Sequence, residues 1–337
     1  MEIKQKIDIS WESIIRVLVV FLGSYVVYLI KDILVWVVFA FIISILFEPT
    51  ISLLIKKKTS RFIATIIIYT VFIVLIGLFV YWIVPIFALE LQRFSRLFPG
   101  YFKELSPSLQ SAGIEAFKSM EALTSSLKNW LTGASSNILN TVISIFGGIL
   151  STVTILTLSI FFSIEKDEIE EIIKLIIPKK QERYFLELGK KLQRTIISWF
   201  SLRVLSGFFI AISSILTFYL LDMKHALALG LFAGVADFIP IIGPIFTSVI
   251  IVIFAFLDSW AKALLAVFIF TLIQQVESNI IEPILNKNLT GFPAVLMLIA
   301  LLIGGKLWGV LGAILIVPLV GVAYGILKES LIKRKNA

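Results

Sequence analysis

Apolar residues run almost unbroken along most of this chain, and the polar ones gather in short clusters between the runs. The runs predict membrane-spanning helices at 12–30, 33–55, 62–88, 138–164 and 196–221, followed by a less regular block from 225 to 327. Crossing about 30 Å of hydrocarbon takes roughly 20 residues at 1.5 Å per residue, so each run is of spanning length. Between 90 and 137 the pattern changes. Ile114, Phe117, Met120, Leu123, Leu127 and Trp130 recur every three or four positions, the stripe of an amphipathic helix that packs on its neighbours, lies at the membrane surface or meets another subunit. A second polar interlude, 165–195, is rich in both charge signs and predicts a mostly helical cytoplasmic connector. Pro85 and the Glu48-Pro49 pair are expected to mark helix ends.

Composition decides the solvent. Of 337 residues, 59% are hydrophobic and 15% charged, with a mean hydropathy of +1.02, more apolar surface than a water-soluble fold of this length can hide. The expected fold is therefore all-α and polytopic, with about eight membrane segments. Lys4, Lys6 and Arg16 precede the first run in the manner of a signal peptide, but no small-residue cleavage site follows, so the segment reads as a retained helix. The net charge of +8 lies in clusters between apolar runs rather than in a basic domain, which argues for topology signals and against nucleic acid. With the N-terminus inside, three basic residues at the N-terminus, four in 56–61 and eight in 165–194 fall in the cytoplasm, and five in 90–137 fall outside. The C-terminal Lys328, Lys333, Arg334 and Lys335 belong inside as well, which fixes the parity of everything after 221. The organisation expected is N-terminal spans (1–89), an extracytoplasmic segment (90–137), a span with its connector (138–195), a transport core (196–327) and a basic tail (328–337).

The irregular block is broken in two places. In 225–257 the run Asp237-Phe-Ile-Pro-Ile-Ile-Gly-Pro244 separates two apolar arms of about 15 residues, and two prolines flanking a glycine break a helix outright. In 294–327 the break is Gly304-Gly-Lys-Leu-Trp-Gly-Val-Leu-Gly312, and Pro318 interrupts the following arm. An offset of 69 lays Gly243 on Gly312, Pro240 on Gly309 and Asp237 on Lys306. If both blocks are re-entrant hairpins, the parity holds and the two halves of 196–327 are inverted copies, the design that puts a transport site near the midplane. One broken crossing followed by one long crossing gives the same parity.

The span between the breaks carries Gln274-Gln-Val-Glu-Ser-Asn-Ile-Ile-Glu-Pro283. At 100° per residue Gln275, Asn279, Glu282 and Asn286 share a face, with Gln274, Glu277 and Ser278 on its flanks. Acids at membrane depth are costly, so Glu277 and Glu282 are candidate site residues; the plainer alternative is pairing with Lys287, Lys262 or Arg203 near a wet end. Asp237 is a candidate on the same grounds, unless it only caps the half-helix after it. Arg203 reads first as an interfacial snorkelling residue, with a buried counter-ion as the alternative. Pro240, Gly243, Pro244, Gly304, Gly305, Gly309 and Gly312 would supply exposed backbone at the two tips. Enzyme chemistry finds no support: there is no cysteine, a single histidine (His225), and no metalloprotease or phosphate-loop motif. No cofactor or metal is expected.

Together, Ala233-Gly-Val-Ala-Asp-Phe-Ile-Pro-Ile-Ile-Gly-Pro244, Gln275-x-Glu-x-Asn-x-x-x-Pro283 and Gly304-Gly-x-x-x-Gly-x-x-Gly312 with Pro318 resemble the autoinducer-2 exporter family of bacterial and archaeal membrane proteins. The resemblance covers nearly the whole chain, including Ile177-Pro178 with the basic residues after it. It implies a multi-pass secondary transporter in the cytoplasmic membrane, often oligomeric, that exports a small polar solute such as autoinducer-2 and is coupled to protons or sodium. Some relatives look like sodium/proton antiporters. The chain departs from the family where Ser198-Trp-Phe-Ser201 stands in place of a Gly-Gln pair and where Asp222-Met-Lys-His225 replaces a glycine-containing turn. A passive channel and a structural scaffold are the readings from other classes.

Overall fold

The computed structural model describes residues 11–111, 133, 149–166, 168, 171, 177–256, 258–285 and 293–335, with every regular element among them helical. The amphipathic stripe 114–130 and Asn286 lie outside the described residues. The elements are α1 (Trp11–Leu29), α2 (Lys31–Lys56), α3 (Arg61–Ser111), α4 (Ile149–Ile164), α5 (Lys179–Leu220), α6 (Ala226–Ala236), α7 (Ile242–Phe256), α8 (Trp260–Val276), a π-helical turn (Glu277–Ile281), α9 (Glu282–Leu285) and α10 (Ala294–Lys335). Among the described residues four helical segments are long and apolar enough to cross a membrane: Lys31–Lys56, Arg61–Leu97, Leu186–Leu220 and Trp260–Ile284.

Two expectations about helix ends fail. Pro49 lies inside α2 and Pro85 inside α3, which runs on for 51 residues, about 76 Å at the helical rise. Pro49 is half-buried and Pro85 exposed, and a proline is tolerated within an apolar membrane helix when neighbours or local adjustments re-satisfy the freed backbone. The part of the connector that is described, from Lys179, is no separate element either but the first turns of α5.

α2, α3 and α4 form one packed group. Phe47, Ile51, Ala64 and Tyr69 fill its centre, and Tyr69 reaches the Ser159 and Ser163 hydroxyls on α4. At one end Glu48 accepts from Arg61 at 2.7 Å and from Lys166 at 3.1 Å, closing the group with charge-assisted bonds.

α5 to α8 form the second group, and glycines set its geometry. α5 and α6 run antiparallel so closely that a Cβ on Gly234 would lie 2.4 Å from the Gly207 carbonyl, and one on Gly230 would meet Ile215 at 2.4 Å. Small residues that let backbones touch are the usual basis of helix association in lipid. The chain breaks after Ala236, where Pro240 cannot donate and Ile241 takes φ 68°. A β-branched residue there costs on the order of 1–3 kcal/mol, which the surrounding packing must offset.

α7 then returns alongside α6. Phe232 stacks near Phe246, His225 near Phe254, and Lys224 lies 3.6 Å from Asp258, so the start of α6 ends up beside the end of α7. His225 Nε2 also lies 3.3 Å from Glu90 of α3.

α10 is two arms. Trp308 and Gly309 (φ 65°) are non-helical, and a Cβ on Gly304 would sit 2.4 Å from the Gly312 carbonyl. The contacts Gly243 with Ala236 and Gly304 with Gly312 thus centre on two breaks that the offset of 69 superimposes. Ile239, at the first tip, packs on Trp199, Leu301, Ala313 and Val317, which brings the two broken segments together across α5.

Adding a methyl at Gly234 is expected to cost about 1–3 kcal/mol, because neither backbone can retreat. Gly77→Ala, where nothing lies within 4 Å, should be neutral. Thermal unfolding in detergent checks this: Gly234→Ala should melt clearly below wild type, and Gly77→Ala alongside it.

Candidate functional site

The second group closes around a charge. Arg203 lies a little past the middle of α5, beside the end of α6, and its side chain is only 6% exposed. The interfacial reading is therefore corrected: Arg203 does not reach for the surface but is buried as a counter-ion. Burying a guanidinium is affordable only with anions close by. Three elements supply them.

Asp237 ends α6, its N–H bonded to the Ala233 carbonyl, and its Oδ2 is 3.7 Å from Arg203 Nη1. A carboxylate at a helix C-terminus opposes the helix dipole, so this position makes sense only against a cation. Asp237 is 2% exposed. Glu277, 4% exposed, places Oε1 3.8 Å from the same Nη1. Glu282, at the outer rim with 29% side-chain exposure, hydrogen-bonds Arg203 Nη2 directly. The alternative partner expected for Glu282, Arg203, is thus the one it has; Lys262 instead donates to the Asp222 carbonyl.

The π turn explains how two acids five positions apart serve one arginine. In an α-helix, residues five apart are turned about 140° from each other. A π turn closes its hydrogen bond over five residues, and here the Glu282 N–H bonds the Glu277 carbonyl. That stacks Glu282 near Glu277 and points both inward.

The same turn divides the predicted polar face. Gln274 and Glu277 point into the cluster, and Gln274 sits beside Asp237. Gln275 and Asn279 face outward and bond to each other at 2.8 Å, while Ser278 donates back to the Gln274 carbonyl. Of the tip residues, Gly243 lies under the Ala236 carbonyl, where no side chain fits, and Pro240 and Pro244 shape the turn. Gly304 and Gly312 join the two arms of α10; Gly305 has only Ala313 Cβ near it at 3.9 Å, and Gly309 supplies the kink.

Several atoms in and near the cluster make no hydrogen bond within the protein: Arg203 Nε, Asp237 Oδ2, Glu277 Oε1 and Gln274 Nε2. The buried hydroxyls of Ser206, Ser214 and Thr247 share this property. Nothing in sequence patterning marks those hydroxyls, since serine and threonine are ordinary in apolar helices. The Glu48, Arg61 and Lys166 set was also missed, although an acid within an apolar run was its signal. Among the described residues no group of three His, Cys, Asp or Glu side chains is arranged to hold a metal ion.

A multi-pass helical membrane protein whose broken helices converge on buried, incompletely paired charges has the build of a transport protein rather than of an enzyme. The sequence profile of the AI-2E family transporter matches residues 14–332, and the chain belongs to that family. YueF of Bacillus subtilis (strain 168), a provisionally named transport protein, is 27% identical over 327 residues, covering 90% of this chain and 88% of its own. The AI-2 transport protein TqsA of Escherichia coli (strain K12) is 23% identical over 325 residues, covering 90% and 89%. A provisionally named transport protein of Thermotoga maritima is 23% identical over 308 residues, covering 88% of each chain.

Removing one member of a buried ion cluster typically costs about 3–5 kcal/mol because the partners stay uncompensated. Arg203→Gln should therefore unfold at a markedly lower temperature than wild type, and the deficit should shrink as pH falls, since protonation neutralises the stranded acids. Adding Glu277→Gln should restore part of the loss at neutral pH. Detergent melting curves between pH 5 and 8 read all three.

Proposed function

We propose that this protein is a secondary active transporter that exports a small polar solute such as autoinducer-2, driven by protons or sodium bound at the Arg203 cluster. One observation carries the reading: three carboxylates on three elements share a single buried guanidinium. Fully ionised, the set carries two uncompensated negative charges, a state that a proton or small cation relieves. Asp237 and Glu277 are the residues assigned to that ion, because neither is hydrogen-bonded to Arg203 while Glu282 is. The unpaired donors and acceptors beside them suit a solute whose hydroxyls can both give and accept. The relative named for AI-2 transport supports autoinducer-2 as the solute to try first.

In this reading α6–α7 and the arms of α10 are re-entrant hairpins from opposite faces, related as inverted repeats. Both termini lie in the cytoplasm, as the basic residues favour. The chain assembles with copies of itself in the cytoplasmic membrane; α1, whose apolar residues from Ile14 to Leu29 are exposed, is an element with surface to offer. The same negative excess favours sodium/proton antiport as a second reading.

Uptake of autoinducer-2 into inverted vesicles should be saturable and should follow an imposed proton or sodium gradient. Glu277→Gln should reduce gradient-driven flux at least tenfold with the protein still folded. Undiminished coupled flux would remove Glu277 from the mechanism. Sodium efflux without solute flux would favour antiport.

A further inference from the structure

Serine and threonine in membrane helices usually bond back to their own helix, and this chain follows the habit. Ser44 donates to the Phe41 carbonyl at 2.8 Å, Thr154 to Leu150 at 2.9 Å and Thr271 to Val267 at 2.8 Å. Three hydroxyls of the second group do not. Ser206 and Ser214 on α5 are 0% exposed and Thr247 on α7 is 1% exposed, yet none of the three has a hydrogen-bond partner in the protein. A buried hydroxyl left unbonded costs about 1–3 kcal/mol in a protein interior. Valine or alanine would fill these places without that cost.

Their positions are related. Ser206 follows Arg203 by three residues and Ser214 by eleven, which keeps all three within about 80° on one face of α5, over about 16 Å of helix. The adjoining face, with Gly207, Ala211 and Ile215, packs on α6, the first arm leading to Asp237. Thr247 stands on the second arm, one turn past Gly243, and its neighbour Ser248 makes the ordinary bond back to the Pro244 carbonyl. Unbonded hydroxyls thus occur on both sides of the broken pair, beginning at the acid cluster and leading away from it.

We propose that Ser206, Ser214 and Thr247 line the route by which the solute reaches the Arg203 cluster, their hydroxyls replacing water for a hydroxylated solute in transit. The proposal rests on the transport reading above. It assigns the three residues to binding, a role in which an unbonded hydroxyl in the closed protein is the residue's share of a bond made with cargo. Ser206, nearest the arginine, and Thr247, across the broken pair, touch the solute at the cluster; Ser214 meets it on the way.

The chain has no cysteine, so Ser206→Cys, Ser214→Cys and Thr247→Cys each introduce a unique thiol of nearly unchanged size. Thr65 supplies the control, because it too is 0% exposed with an unbonded hydroxyl but belongs to the α2–α4 group. A thiol reacts as thiolate and so only where water reaches it. Each variant, purified once to confirm a monodisperse, wild-type-like melting profile, is treated in vesicles with 2-(trimethylammonium)ethyl methanethiosulfonate, and the unreacted thiol is counted. The three route positions should be modified at least tenfold faster than Thr65→Cys, and autoinducer-2 should slow them. A second measurement covers any variant that misfolds: Thr247→Val should raise the half-saturating autoinducer-2 concentration at least threefold without lowering the melting temperature, and Thr65→Val should leave it unchanged. Saturable wild-type uptake with labelling no faster than at Thr65→Cys, or with unchanged half-saturation in Thr247→Val, overturns the route and leaves the transport reading standing. Absence of wild-type uptake overturns both.

Discussion

A guanidinium that cannot reach water dictates the centre of this molecule. A guanidinium is too basic to shed its proton in a protein, so the fold around a buried one must bring anions. That requirement explains why a carboxylate sits at the unfavourable end of α6 and why α8 loses its regular winding at Glu277. It also explains why Glu282 leans inward across a π turn. Each departure from regular structure would be a defect alone, and each becomes intelligible as part of one charge-pairing problem solved from three directions.

Close backbone contact is the second constraint, and it makes the first possible. Glycine pairs on α5 and α6 bring the helices near enough for a side chain as short as Asp237 to approach the arginine, and the pair on the two arms of α10 holds the second break closed. The α2–α4 group is held differently, by Tyr69 hydroxyl contacts and by the Glu48 ion pairs at its end. The two groups therefore owe their cohesion to separate sets of polar interactions, one already satisfied within the protein and one left partly open.

Most of the framework was legible in the sequence because hydrophobic runs and Pro/Gly breaks are local signals. The positions of α2, α5 and α8, the break at Asp237–Ile241 and the kink at Trp308–Gly309 all follow from them. What the sequence hid was non-local. A prolyl break and a tolerated proline look alike until the neighbours are known, which is why Pro49 and Pro85 read as ends. Arg203 near the start of an apolar run looks interfacial until the acids of three other elements are seen to close around it. A fixed 100° step put Glu282 with Gln275 and Asn279, and only the π turn, which no composition announces, regroups it with Glu277.

The π turn has a further consequence, for how such a chain can change over time. It is one residue more than the regular helix needs, and the wide turn absorbs that residue so that Glu282 keeps the place of a neighbour one turn after Glu277. Deleting a single residue between Glu277 and Glu282 would leave the two acids four apart, about 40° from each other on a regular helix. A lineage could therefore shed the turn by a one-codon deletion and keep the cluster, whereas winding the same residues as a regular helix would carry Glu282 about 140° from Glu277.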